Sequence, residues 1–393
     1  TEIIRNENIG CVLYKDSESS LLDVFYPSSL TLFEDTGLRT ISYSNSLLYK
    51  IYKEYITISN DGITILDTIK NDNLLIINHA ICDKEGNVWV ADSINGLLQF
   101  NNNSYQETYT PEGPKSNDVH SLEFLANELF VCHGGHFNFG INYLNTVGVS
   151  IMQNNYEWKG EDYYDLGWAW DILGVAVYDG KEYYASWYDG ISVLNGEIKE
   201  DIYRFIIQYG YENTAGALDT TYYSNNRIRI SDLKFDLEGN LWGLSSEVNN
   251  PLFVKTKEGV WHSFTMNQGV VDLFFDELLI DSYGQKWGVI GREGGVFVYS
   301  DNESIDNPSD DEFKILNTFA GNGNLPSKQV YSIAEDLDGY IWIGTDKGVA
   351  VFYNPNLVFS NYNFDAQQII IQEGDYGQYL LNEEKVTCIA IDG

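Results

Sequence analysis

The chain has 393 residues, and its 58 Asp+Glu against 23 Lys+Arg leave a formal net charge of −35. A surface this acidic repels phosphate backbones and argues against nucleic-acid binding, and no apolar run is long enough to span a bilayer as a helix. Hydrophobic residues make up 44% and charged ones only 21%, which excludes a disordered acidic tail, while an aromatic share of 15% leans towards strands.

The first residues, 1–6, have the character of neither a signal peptide nor a translation start, so the sequence reads as a mature or excised piece. Stretches 40–43, 47–51 and 55–59 alternate apolar and polar residues and predict a first group of short strands. From there a seven-residue frame recurs four times: Asp, two residues, Gly, two residues, Trp. It is occupied by Asp83, Gly86 and Trp89, by Asp236, Gly239 and Trp242, by Asp281, Gly284 and Trp287, and by Asp336, Gly339 and Trp342. An apolar strand precedes each Asp and a second strand follows each Trp. Asp at a strand end accepts hydrogen bonds from the turn it opens, Gly supplies the positive φ that closes the hairpin, and Trp fills the gap between sheets while its N–H finds a partner. These twelve residues are therefore expected to be structural.

The first two of these Asp positions lie 236 − 83 = 153 residues apart, which divides into three units of 51, so two degenerate copies are expected inside that span. Residues 119–124 with 128–132 supply one, and 174–185, with a shortened turn, supply the other. A cut-off copy at 386–392 matches 330–336. Units of this length, each a meander of short strands, describe β-propeller blades. Counting from residue 40 predicts an all-β, seven-bladed β-propeller formed as a single domain over 1–393, with an eight-bladed ring as the alternative. The half-repeat at 386–393 either closes the ring or belongs to a longer parent chain. No helix longer than about two turns is expected.

Four cysteines, Cys11, Cys82, Cys132 and Cys388, sit in apolar runs without a CxxC and read as small buried hydrophobes in strands. Cys132, His133 and His136 are zinc-type ligands within five positions, yet they flank a glycine pair in one isolated cluster, so no metal and no cofactor is expected. The five histidines have no triad spacing, and six arginines, at 5, 39, 204, 227, 229 and 292, are too spread in sequence to suggest a sialidase-like cluster. A sialidase Asp-box, Ser-x-Asp-x-Gly, is likewise absent from the repeat. No catalysis is expected.

One segment stands out as a ligand candidate. Tyr156, Trp158, Tyr163, Tyr164, Trp168 and Trp170 crowd together among Glu157, Glu161, Asp162, Asp165 and Asp171. Trp158, Tyr163, Tyr164, Trp168 and Trp170 could stack on sugar rings while carboxylates hold hydroxyls. The plainer alternative, placed ahead of it, buries these rings between blades or against another propeller.

The stretch from Val330 through Asp336, Gly339, Trp342 and Thr345 to Val349 resembles the two-component-regulator propeller repeat of Bacteroidetes hybrid sensors. Residues 278–288, and 347–355 running on to 364–369, resemble in particular the PorZ-like surface components of the type IX secretion system. That resemblance implies a second propeller and a terminal β-sandwich beyond this sequence. It implies a place on the extracellular face of the outer membrane, docking of a sortase and binding of anionic lipopolysaccharide. The alternative it leaves is a periplasmic, glycan-sensing propeller of a hybrid two-component sensor.

Overall fold

A computed structural model of the chain describes residues 2–5, 10–15, 20–26, 29–34, 37–109, 112–137, 140–195, 205–222, 227–266, 274–302, 304–373 and 376–392, of which 2–34, 195, 205–206, 373 and 376 are described by backbone alone. Arg204 and Gly393 lie outside these residues, as do the side chains of Arg5 and Cys11. The chain packs as two compact units, 1–112 and 113–393.

Both units are built from antiparallel meanders in which consecutive strands pair in order. Seven sheets have four strands each, over 2–34, 40–70, 77–109, 121–161, 172–209, 230–264 and 275–316. One has three strands, over 330–352, and a two-stranded hairpin follows at 370–379. The seven meanders predicted from residue 40 onward are all present, both degenerate copies included. The meander at 2–34 precedes them. A short 3-10 turn is formed by Pro355–Leu357.

Apolar residues from facing sheets make the core, one layer per pair of neighbours. In the first unit Tyr49, Ile51 and Ile56 pack on Val90, Leu98 and Phe100. In the second, Phe130 and Val149 meet Val175 and Tyr184, then Ile191 and Val193 meet Leu233 and Phe253, then Trp242 and Leu252 meet Phe275 and Phe297. Trp287 and Val298 close against Ile341 and Phe352. Each large side chain buried this way contributes about 1.5–3 kcal/mol.

The repeated frame has one geometry in all four copies. One carboxylate oxygen of the Asp accepts the backbone N–H four residues on, and the other accepts the indole N–H of the Trp in its own copy. The indole distances are 2.8 Å at Asp83–Trp89, 2.9 Å at Asp236–Trp242, 2.8 Å at Asp281–Trp287 and 2.7 Å at Asp336–Trp342. The glycine between them sits at φ 88°, 88°, 76° and 79° in chain order. Trp242 and Trp287 are fully buried between sheets, as expected of the ring, whereas Trp89 and Trp342 are only half-buried. The indole and Asn87 amide bonds hold the half-buried Asp83 carboxyl below its ordinary range. Burial instead outweighs the same bonds at Asp281 and raises it.

Cys82 and Cys132 are buried strand residues, but Cys388 is exposed. The stretch around it is not paired into a sheet. It runs beside the eighth meander, with the Val386 N–H donating to the Thr345 carbonyl at 2.9 Å, and no further strand covers its outer side among the described residues.

Candidate functional site

An antiparallel meander sends its connections alternately to its two ends. The Asp-Gly turns join first to second strands and so share one end of the second unit with the third-to-fourth connections. The opposite end receives the second-to-third turns, such as 187–189, 291–294 and the described parts 133–137 and 140–148 of a longer one, and the segments that lead into the next meander, such as 162–171 and 210–222. These loops are longer and richer in aromatic and titratable residues, and the cavities lie among them.

Loop 133–148 is pinned from the next connection. The Asp171 carboxylate, fully buried, accepts the N–H groups of Leu144 (2.9 Å) and Asn145 (2.8 Å) and the side-chain amide of Asn142 (3.2 Å). Burial raises its pKa against these bonds. The Trp187 indole N–H donates to the Gly140 carbonyl at 3.1 Å, and the His136 ring stacks on that indole with centroids 4.5 Å apart. Cys132 and His133 turn inward. Burial pushes the Cys132 thiol up to about 12, and the His133 ring nitrogens are engaged by the Asp118 carbonyl (2.7 Å) and Ser150 Oγ (2.8 Å). The Cys-His-Gly-Gly-His run therefore does not converge on one point, and of its three zinc-type side chains His136 is the one that lines a cavity, beside Gly134 and Gly135.

That cavity is an open recess of about 770 Å³ lined by Asn117, Asp118, His120, His136, Tyr143 and Asp276 among others. A smaller one of about 290 Å³ adjoins it, sharing His136, Phe137 and Asp276 and adding Gly140, Phe274 and Arg292. His120 lines the recess as an exposed residue, with part of its ring desolvated by the surrounding protein. This desolvation, helped by the charge of His136, brings its pKa down to about 4, so it is neutral at pH 7. At Asp276, desolvation raises the pKa against the pull of His136 and Arg292.

The aromatic segment lies at the same end of the unit. Tyr163 meets Tyr164, Trp168 and Trp170 edge-on at 5.3, 5.1 and 5.0 Å, and Tyr164 meets Trp168 at 4.9 Å. Trp170 extends the cluster to Tyr188 at 6.4 Å. Trp158 stands apart, on strand Trp158–Glu161 opposite Met152. Tyr164 and Trp168 are 66% and 59% exposed, while Tyr163 and Trp170 are half-buried. Among the interleaved carboxylates, Glu161 and Asp171 are buried, and Asp162 and Asp165 cap the backbone of their own turn.

The arginines correct the sequence reading most. Arg227 and Arg229, two positions apart, and the distant Arg292 come to this same end, and each guanidinium lies over a ring: Tyr188 at 5.2 Å, Trp187 at 5.3 Å and Phe274 at 3.6 Å. Sequence spacing gave no sign that Arg292 joins the other two, because the meeting is made by two different connections.

Among known proteins, the two component regulator propeller model matches residues 324–347. No curated protein matches significantly. The fold is similar to that of PorZ, a bacterial surface component of the type IX secretion system of Porphyromonas gingivalis, at TM-score 0.63 and 20% identity, covering 100% of this chain and 53% of that one. The extracellular domain of the putative hybrid two component system BT3049 from B. thetaiotaomicron gives TM-score 0.42 at 14% identity over 94% of this chain and 54% of that one. Virginiamycin B lyase from Staphylococcus aureus gives 0.45 at 13% over 81% and 89%. This chain thus spans about half the length of the PorZ structure it matches. It is an all-β propeller protein that carries a two component regulator propeller repeat, with the fold seen in PorZ.

Proposed function

We propose that the chain is a non-catalytic binding component of a type IX secretion system, standing at the extracellular face of the outer membrane, where it docks a sortase and holds anionic lipopolysaccharide. One observation carries this reading: the fold likeness to PorZ extends over the whole chain. The loop-rich end of the second unit is the binding face in this account, with the exposed rings of Tyr164 and Trp168 as the sugar-stacking element. Their edge-to-face packing on Tyr163 and Trp170 presents them without a large loss of side-chain freedom on binding. The repeat at 324–347 supports a second reading, the ligand-sensing propeller of a hybrid sensor. Affinity purification of the full-length protein from its native cells separates the two. Recovery of surface sortase components supports the scaffold, and recovery of a histidine kinase on the same polypeptide overturns it.

A further inference from the structure

We propose that the exposed rings of Tyr164 and Trp168, with the Asp165 carboxylate in the same turn, select a sugar that carries an amine. This rests on the reading of these rings as the sugar-stacking element and names which sugars they take.

Charge carries the inference. From residue 160 to 171 the chain has no Lys or Arg, while Glu161, Asp162, Asp165 and Asp171 all fall there. The segments that hold this loop are equally free of cations. The Tyr163 N–H donates to the Thr146 carbonyl and the Asp171 N–H to that of Asn145, both at 3.1 Å. The Trp170 N–H donates to Asp189 at 3.1 Å, and the Gln208 amide to the Gly167 carbonyl at 2.5 Å. In sequence, 140–148, 187–192 and 205–226 contain no Lys or Arg. Arg227 lies over Tyr188, which joins the cluster at Trp170 and not at the exposed pair. Asp165 is exposed and Asp162 half-buried, and among the described residues neither pairs with a Lys or Arg.

An aromatic face is itself attractive to a cation, and carboxylates beside it add to that attraction while repelling phosphates and uronates. An anionic ligand therefore meets this turn through a unit of zero or positive charge, and the positive one is favoured twice, by ring and by carboxylate. The groups are also held in place. Trp168 follows Gly167 with φ 72°, a backbone few bulky residues adopt, and its N–H donates to the Tyr163 carbonyl at 2.8 Å. Asp165 Oδ2 accepts the Asp162 N–H at 2.9 Å, and Asp162 Oδ1 accepts the Tyr164 N–H at 2.8 Å. Ring and carboxylate thus lose little freedom when a ligand arrives. The competing account is a rigid aromatic plug that closes the end of the sheets and binds nothing.

Saturation-transfer NMR on the full chain decides between them. The probes are glucosamine, N-acetylglucosamine and glucuronate, with butylamine as a sugar-free ammonium standing in for a lysine side chain. A pH of about 6.5 keeps the amines charged, and about 0.15 M salt screens the acidic surface elsewhere. The wild-type protein should bind glucosamine about fivefold or more tighter than N-acetylglucosamine or butylamine, and glucuronate weakest among the sugars. Asp165→Asn, which keeps an acceptor for the Asp162 N–H, should remove most of that preference and leave N-acetylglucosamine unchanged. Trp168→Ala should lose both sugars, and Asp338→Asn, at the opposite end of the unit, should behave as wild type. Melting curves confirm folding, and if Trp168→Ala fails to fold, Trp168→Gly, which suits φ 72°, takes its place. Equal binding of glucosamine and N-acetylglucosamine overturns the amine preference and leaves the sugar-stacking reading standing, whereas binding of neither overturns both. Butylamine bound as tightly as glucosamine, or a preference that survives in full in folded Asp165→Asn, also overturns the proposal.

Discussion

The His136 imidazole lies against the Trp187 indole with 22° between their planes, and the same indole donates its N–H to Gly140 four residues further along the His136 loop. One buried side chain from turn 187–189 thus holds a recess-lining residue and the backbone behind it. The walls of the recess are set by packing before any ligand arrives, which lowers the ordering cost of binding.

Gly140 is where that packing is tightest. Its φ is 69°, and a Cβ there would enter the Phe274 ring. Gly140→Ala should therefore loosen the loop, costing roughly 1–3 kcal/mol locally. Amide hydrogen exchange over 134–145 should accelerate while the Trp242–Phe264 layer keeps its protection. Unchanged exchange in the loop would remove the clamp from this account.

At Asp281 all four hydrogen bonds run inward. Oδ2 accepts from Trp287 Nε1 and Gln285 Nε2, both at 2.8 Å, and Oδ1 accepts from the N–H groups of Gln285 (2.8 Å) and Tyr283 (3.0 Å). Asn has the same shape but turns an NH₂ towards donors. Asp281→Asn should cost about 1–3 kcal/mol in chemical denaturation. A midpoint equal to wild type would show that the carboxylate has no structural part in the frame.

Local chemistry of this kind is what made the frame readable in sequence. Asp, Gly and Trp act within one turn, so their spacing is fixed and visible, and spacing alone located the degenerate meanders at 121–161 and 172–209. The meander at 2–34 has no such frame and was not countable. The indole–carboxylate bond within each copy was also missed, although the constant Asp-to-Trp interval carried the signal. The recess was invisible because its walls come from 117–120, 134–137, 140–145, 274–276 and 291–292, brought together by topology. Arg229 and Arg292, 292 − 229 = 63 residues apart, meet for the same reason.

Glu277 sets a pH dependence. It stands on strand Phe275–Ile280, the first of its meander, accepts the Ile333 N–H at 3.1 Å, and neighbours the Asp232–Lys234–Glu123 cluster. Burial first, then the Asp232 charge, raise its pKa from 4.5 to about 7. The folded chain therefore keeps a proton that the unfolded chain releases, so stability falls as pH climbs from about 4.5 to 7. Asp189, raised to about 6 by burial, adds a change of the same sign, while Asp61, held near 2 by hydrogen bonds that outweigh its desolvation, acts only at lower pH. Glu277→Gln keeps an acceptor for Ile333 and should gain about 1–2 kcal/mol over wild type at pH 8, with little difference at pH 5. A melting-temperature difference that stays constant between those pH values would contradict the assignment.

Trp168 offers a test of the binding face. It is exposed and packs only edge-on against Tyr163 and Tyr164, so Trp168→Ala should leave the melting temperature within about one or two degrees of wild type. Binding to immobilised lipopolysaccharide should drop about fivefold or more, the equivalent of one lost stacking contact. Undiminished binding would move the sugar contact elsewhere.

The central claim concerns which side of the outer membrane the chain occupies, and protease shaving of intact cells measures that directly. The account predicts that external protease cleaves the protein on whole cells while a periplasmic marker stays intact. Protection on intact cells, lost only when the outer membrane is permeabilised, would contradict the surface scaffold and favour the periplasmic sensor.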